Sequence, residues 1–471
     1  MKFLFNITHG FQARMLLRSR IRDELLAAGA ELVILSPNAR DEYFRQEFEH
    51  PQITLETLPT QVGRIEANLA NLRQYLLMNP ELGATLNAKN EAFRRQTPVR
   101  YYCCRAANQL LGRISILRRG YIAAESKLFP GHEFDEILTR HHPDLVVTGT
   151  PGFNLKDIHL LRAARRFQIP SATVMLSWDN LSSKGYMGAK PDDLLVWSDL
   201  MRDEAVRYHQ FPQNRIQWCG AAQFDHYFEY KQRFDQAAWR RTNGIPESAA
   251  LLVYGTINPA LVPHEQRLVE ELADAVRRDV FVKPTYLWVR LHPQVVQGFW
   301  SHDLGGYRAL AGERIRIEEP PVRDSSLSWD LPKEDADHLA ALMAAADVVL
   351  TPNSTLSIDA ACVDTPIINY LYDGRDADEG GLSIRRFRYY THYAKILETG
   401  GITLVENEGE LHRAIDSYLL DRSLHREGRF AILTQQFNRL DGKAGARTAE
   451  LLLEHALSTS ARNRDTADSR G

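Results

Sequence analysis

Short aliphatic runs, each closed by a small polar turn and followed by a helical stretch, recur along the chain, and this repeat constrains the fold more than any other feature. Phe3-Leu4-Phe5-Asn6-Ile7 passes through Thr8-His9-Gly10 into a helix reaching Ala28. Glu31-Leu32-Val33-Ile34-Leu35 follows, stopped by Ser36-Pro37-Asn38. That is the start of a βαβ series, and such units build a parallel sheet with both faces covered by helices. The rhythm breaks between about 62 and 140, which reads as helices rich in arginine: Arg94, Arg95, Arg100, Arg105, Arg113, Arg118 and Arg119. It resumes with strands over 144–149, 171–176, 193–197 and 216–220, and a helix from Asp157 to Phe167.

A second series begins after a polar helical stretch at 225–248. Strands are expected at 251–256, 286–291, 347–351 and 366–370, with helices at 263–278, 336–346, 354–362 and 448–457. With 471 residues the chain is too long for one ordinary core. The reading is α/β, with two doubly wound, Rossmann-like domains in tandem. Residues 1–235 form the first, with its helical insertion over 62–140, and 236–457 the second. The polar residues 458–471 are expected to be a disordered tail.

Doubly wound sheets bind ligands beyond the carboxyl ends of their strands, so the loops there hold the candidates. In the second half, Asn353-Ser354-Thr355 follows the strand 347–351 and opens a helix whose free N–H groups suit a phosphate. Asp359 lies a turn further in, where a carboxylate could meet a ribose diol. An ordinary helix cap explains the same residues. Arg290 and His292 end the strand before it and suit phosphate or base, or a strand simply stopped by Pro293. Thr256 and Asn258 follow the domain's first strand and face the same edge.

In the first half, His9 and Gly10 close the first strand. A histidine there suits a general base, or is a plain loop residue. Ser177 to Gly185 gathers Trp178, Asp179, Asn180 and Lys184 after another strand. Asp179 is a second candidate base, Trp178 a stacking platform or a core residue, and Lys184 a phosphate partner. No Gly-x-Gly-x-x-Gly follows the first strand, which removes the dinucleotide fingerprint.

Composition excludes other classes. A formal net charge of −3 gives no signal for nucleic acid. Cys103, Cys104, Cys219 and Cys362 lack zinc or Cys-x-x-Cys spacing and fit a reducing, cytoplasmic setting. No stretch reaches the ~18 apolar residues of a membrane span. The basic stretch at 89–120 is expected to meet an anionic acceptor or the inner membrane face, or else to be a solvated helical face.

Taken in order, these motifs resemble the GT-B superfamily, which includes bacterial polysaccharide glycosyltransferases, CDP-glycerol glycerophosphotransferases and UDP-N-acetylglucosamine 2-epimerases. The resemblance runs from Lys2 to about Leu457, the helical stretch excepted. Trp197-Ser198-Asp199 through Gly220 to Asp225 looks like the segment closing the N-terminal domain. Arg290-Leu291-His292-Pro293 looks like the His-Pro element of CMP- and CDP-donor enzymes. Asn353-Ser354-Thr355 with Asp359 looks like the serine-rich donor loop and acidic ribose ligand, a position that is often Glu in relatives. Asp441-Gly442-Lys443-Ala444 to Arg447 resembles the segment after the last helix.

The resemblance implies two domains facing across a cleft, with the nucleotide-activated sugar on the C-terminal side. It implies transfer to a polysaccharide or glycolipid acceptor on the N-terminal side, without cofactor or metal. Two alternatives stay open: a 2-epimerase-like enzyme, and a non-catalytic nucleotide-sugar-binding protein of the same fold.

Overall fold

The computed structural model describes residues 1–59, 62–76, 83–94, 97–111, 114–298, 304–323, 326–375 and 383–468. Arg95, Arg113 and the side chain of Arg100 lie outside them. Two parallel sheets carry the fold. The first has seven strands in the order β3-β2-β1-β4-β5-β6-β7. These are β1 (Lys2–Asn6), β2 (Glu31–Ser36), β3 (Ile53–Thr57), β4 (Leu145–Thr148), β5 (Ser171–Val174), β6 (Asp193–Val196) and β7 (Ile216–Trp218). The second has six in the order β10-β9-β8-β11-β12-β13. These are β8 (Ala250–Gly255), β9 (Thr285–Arg290), β10 (Ile315–Glu318), β11 (Val348–Thr351), β12 (Ile367–Tyr370) and β13 (Thr403–Val405). Every pairing is parallel, as continuous apolar strands separated by helices require.

Three strands were not legible in the sequence: β3, β10 and β13. All three are sheet edges. Edge strands are half solvated, so polar residues interrupt their apolar pattern, as in Ile315-Arg316-Ile317-Glu318. The helix expected to follow the Thr8-His9-Gly10 loop and reach Ala28 is broken. A short helix Gly10–Gln12 runs into a π-turn at Ala13–Leu17, and a new helix starts at Arg20 behind the cap Ser19. Single π-turns concentrate at functional sites.

Between β3 and β4 the described residues form the helices Arg64–Leu76, Gly83–Arg94, Pro98–Leu111, Ser115–Leu128 and Asp135–His141. The polar stretch after β7 forms helices Asp225–Arg233 and Gln236–Thr242, packed on Glu334–Ala345 of the second domain. The last helix, Ala444–Asp468, includes residues expected as a tail and returns to the first domain. It buries Ala449, Leu452 and Ala456 in one apolar cluster with Phe3, Phe5 and Leu25. The first domain is therefore covered by this helix, and the division at 236–457 does not follow its packing.

Candidate functional site

Strand order reverses direction between β1 and β4 in one sheet and between β8 and β11 in the other. Loops leaving a sheet at such a point diverge and open a crevice. His9 and Gly10 follow β1; Thr256, Asn258, Asn353, Ser354 and Thr355 follow β8 and β11.

A segment of the second domain joins the two crevices. Trp329 stands edge-on to His9 at 4.7 Å and to His292 at 5.1 Å between ring centroids. It does so in the left-handed region, at φ +59, a strained setting for an aromatic residue that tertiary contacts must enforce. Ser328 O accepts from Gly10 N at 2.9 Å, and a Cβ on Gly10 would stand 2.4 Å from Trp329 O. Only glycine permits that approach.

His9 caps the first helix, its Nδ1 accepting from Phe11 N at 3.1 Å. Burial, then the Lys184 ammonium, pull its pKa down to about 4. The ring is therefore neutral near pH 7, with its remaining proton on Nε2. It presents a donor; service as a base requires the other tautomer and the loss of the Phe11 bond. Asp179 takes hydrogen bonds from Ser177 Oγ at 2.7 Å and Ser183 Oγ at 2.5 Å. Burial opposes its charge, but Lys184, the His392 ring, the Ser183 hydroxyl and Lys89 outweigh it and hold its pKa well below the usual range. It is a fixed anion, and so a weak base, that anchors cations. Lys184 Nζ stands 3.8 Å from it. Trp178 is buried and edge-on to His392 at 4.9 Å, which makes it a packing residue rather than an open platform. Asn180 is buried at the start of the short helix Asn180–Ser183.

On the opposite side, His292 caps its own short helix, and its backbone N donates to Thr256 Oγ1 at 2.7 Å. Burial draws its pKa down to about 4, so it too is neutral. Asn258 Oδ1 accepts from Ala260 N and Ser354 Oγ from Leu356 N, both stabilising their loops. Thr355 caps the helix Leu356–Cys362 without using its side chain. Arg290 is not available to a phosphate: it is ion-paired with Glu318 and, through Nη2, with Asp335 at 2.7 and 2.8 Å. Asp359 accepts from Tyr227 Oη at 2.7 Å. Burial raises its pKa to about 6, against the pull of Arg14 and Arg290.

Four contributors carry no motif in sequence. Arg14, on the π-turn, is half-buried and makes no ion pair among the described residues, yet acts on Asp359 and Tyr227 across the domain boundary. Lys89, from the insertion, donates to Ser183 O at 3.1 Å, and burial followed by Lys184 pulls its pKa to about 8. His392 and Trp329 come from the second domain. Spacing could have shown none of them, because each is brought in from a distant segment.

Buried polar atoms with no hydrogen-bond partner among the described residues include Trp329 Nε1 and Asn353 Oδ1 in these loops and His392 Nδ1 on the helix Thr391–Leu397. Such atoms cost about 1–3 kcal/mol each when left unpaired, and clusters of them mark places where something else supplies the partner. Among the described residues no group of three His, Cys, Asp or Glu side chains is placed to hold a metal ion.

No family model and no curated protein matches the sequence. Solved structures do match over nearly the whole chain. The UDP-GlcNAc 2-epimerase of Methanocaldococcus jannaschii, solved with UDP-GlcNAc and UDP, is 14% identical, covers 96% of this chain and 100% of its own, and has a TM-score of 0.52. The Neisseria meningitidis UDP-GlcNAc 2-epimerase bound to UDP-GlcNAc is 10% identical over 96% and 100%, with a TM-score of 0.52. A glycosyltransferase from Rickettsia africae is 12% identical over 97% and 98%, with a TM-score of 0.53. The chain has a GT-B-like fold: two Rossmann-like α/β domains, the first carrying a helical insertion.

Proposed function

We propose that the chain is a nucleotide-sugar-dependent transferase, moving a glycosyl or related group to a cell-surface polysaccharide or glycolipid acceptor. The observation that carries this reading is Trp329 standing between His9, after β1, and His292, after β9, with buried polar atoms unpartnered among the described residues and cations close by. The donor's diphosphate lies against Asn353, Ser354 and Thr355, with neutral His292 as a donor beside it. The guanidinium of Arg14 faces the leaving diphosphate from the other domain, and charge developing on that leaving group is what such fixed donors stabilise. The remaining oxygen of Asp359 turns toward the ribose. The acceptor enters beside His9, Lys184 and Lys89. His9 Nε2–H holds an acceptor oxygen, and a change of tautomer lets the same ring take its proton.

A second reading, nucleotide-sugar 2-epimerase, draws support from the similar solved structures that bear that name. The two separate in one experiment. A panel of nucleoside diphosphates and nucleotide sugars is screened by thermal shift, since a ligand of the native state raises the melting temperature. The stabilising nucleotide sugar is then incubated without acceptor in deuterated water. Epimerisation breaks a C–H bond and yields a deuterated sugar nucleotide; transfer leaves the donor intact until acceptor is added. A panel with no stabilising nucleotide rejects both readings.

A further inference from the structure

A second pocket lies at the opposite edge of the first sheet. Its walls are the helix Ser115–Leu128, the final turns of the helix Leu155–Arg166, the segment 186–190 leading into β6, and Gln210 ahead of β7. These elements lie at the amino ends of the strands, whereas the cleft described above lies at their carboxyl ends. The pocket's volume is about 610 Å³.

Its chemistry is uneven. Ile122, Ala123, Leu161 and Met187 give an apolar floor, and five cations rim it: Arg119, Arg162, Arg165, Arg166 and Lys190. Among the described residues no carboxylate lines it. Arg162 and Arg166 are neutralised from behind, by Glu125 and Asp135. The other three are not. Arg119 has no hydrogen bond or ion pair among the described residues. Among the described residues Arg165 reaches just the Lys190 carbonyl, at 3.1 Å, and Lys190 the carbonyls of His209 and Gln210, at 2.6 and 3.0 Å. Burial, then Arg118, Arg119 and Arg165, draw the Lys190 pKa down to about 8. A helix C-terminus accounts for basic residues at 165 and 166, but not for Arg119 or Lys190, which come from other elements.

A second feature adjoins the first. Ile116, Arg119, Ala123 and Ser126 are spaced three, four and three residues apart, so they share one stripe of their helix. Ile116 extends the pocket's stripe outward and is 74% exposed. Leu117 and Leu128 on this helix and Val99 and Tyr102 on its neighbour are exposed too. Large apolar side chains interleaved with arginines on an exposed helix are the pattern of an interfacial segment. No described helix is long and apolar enough to cross a membrane, so any attachment made here is at the surface.

We propose that this pocket seats the phosphate of an anionic membrane lipid between Arg119, Arg165 and Lys190, while Ile116 and Leu117 enter the adjoining acyl boundary. The site docks the first domain on a membrane and is independent of what the cleft transfers. The test is co-sedimentation of the whole protein with phosphatidylglycerol-containing vesicles and with pure phosphatidylcholine vesicles. Binding to the anionic vesicles that weakens with salt, with little binding to the neutral ones, is expected.

Arg119→Gln with Arg165→Gln should lower anionic-vesicle affinity about tenfold or more, each basic residue being worth about 1 kcal/mol at such a surface. Ile116→Ser should lower it independently, and thermal unfolding in solution should be unchanged. Equal binding to both vesicle types overturns the proposal, as does a double variant that binds like wild type. Inorganic phosphate that stabilises wild type but not the double variant, without vesicle binding, also overturns it and identifies the site as one for a soluble phosphate. None of these outcomes bears on the nucleotide panel that tests the cleft.

Discussion

His292 follows β9 and Thr355 follows β11, and these strands flank β8. Strand spacing sets their loops about 10 Å apart, within reach of one nucleotide diphosphate. His292→Ala and Thr355→Val should each weaken the preferred nucleotide by roughly ten- to a hundredfold, at about 1.5–3 kcal/mol per charge-assisted hydrogen bond. Calorimetric titration measures this, and unchanged affinity in both folded variants moves the donor site elsewhere. His209 supports a pH prediction. It is fully buried, its Nε2 donates to Leu181 O at 2.7 Å, and burial pulls its pKa to about 4. The unfolded chain protonates this ring near pH 6.5, the folded chain not until about 4. Stability from the neutral ring is thus complete above pH 6.5 and drains away as pH falls toward 4. The melting-temperature gap between wild type and His209→Gln should therefore narrow from pH 7.5 to pH 5; a constant gap refutes the assignment. Sequence placed His9, His292 and the 353–355 loop on the right sheet edges because strand ends are local. It misjudged Arg290, since the Glu318 and Asp335 that claim its guanidinium lie 28 and 45 residues away.

Helices and strands divide by how local their signals are. Buried central strands were legible as apolar runs, and β3, β10 and β13 were not, because an edge needs only one buried face. The last helix rests on a cap supplied from 219 residues earlier in the chain: Asp225 accepts from Ala444 N at 3.0 Å and Gly445 N at 2.7 Å. Asp225→Ala should cost about 0.5–2 kcal/mol, the usual range for a lost helix cap, and lower the melting temperature accordingly. Asp225→Asn, which keeps one good acceptor, should cost less. Equal stability of all three proteins would show that the helix is held by Ala449, Leu452 and Ala456 alone.

At the scale of the molecule, the segment around Trp329 decides how the domains meet. Leu327 is buried in the first domain's core, and Asp330 is fully buried between Arg18 Nη1 at 2.8 Å and Tyr43 Oη at 2.5 Å. Arg18 also pairs with Glu47, at 2.6 and 3.0 Å. Removing one partner of a buried pair strands the other charge, at about 3–5 kcal/mol. Arg18→Met should therefore lower the midpoint of urea unfolding sharply, and Arg18→Met with Asp330→Asn should recover part of the loss, because the buried charge of Asp330 is gone and Glu47 keeps Arg323 at 2.8 Å. A double variant no better than the single one would argue that Glu47 rather than Asp330 needs the arginine. Since Trp329 lies between His9 and His292, the same single variant should also weaken nucleotide binding.

The alternation of apolar runs with helices was enough to determine two parallel sheets and the loops that end their central strands, because each of those signals is contained in a few neighbouring residues. The contributions of Arg14, Lys89, Trp329 and His392, the pairing that withdraws Arg290, and the protonation of His9 and Asp179 were decided by tertiary structure alone. They depend on burial and on charges brought together from separate domains. Neither burial nor those distances exist until the two sheets have closed on each other.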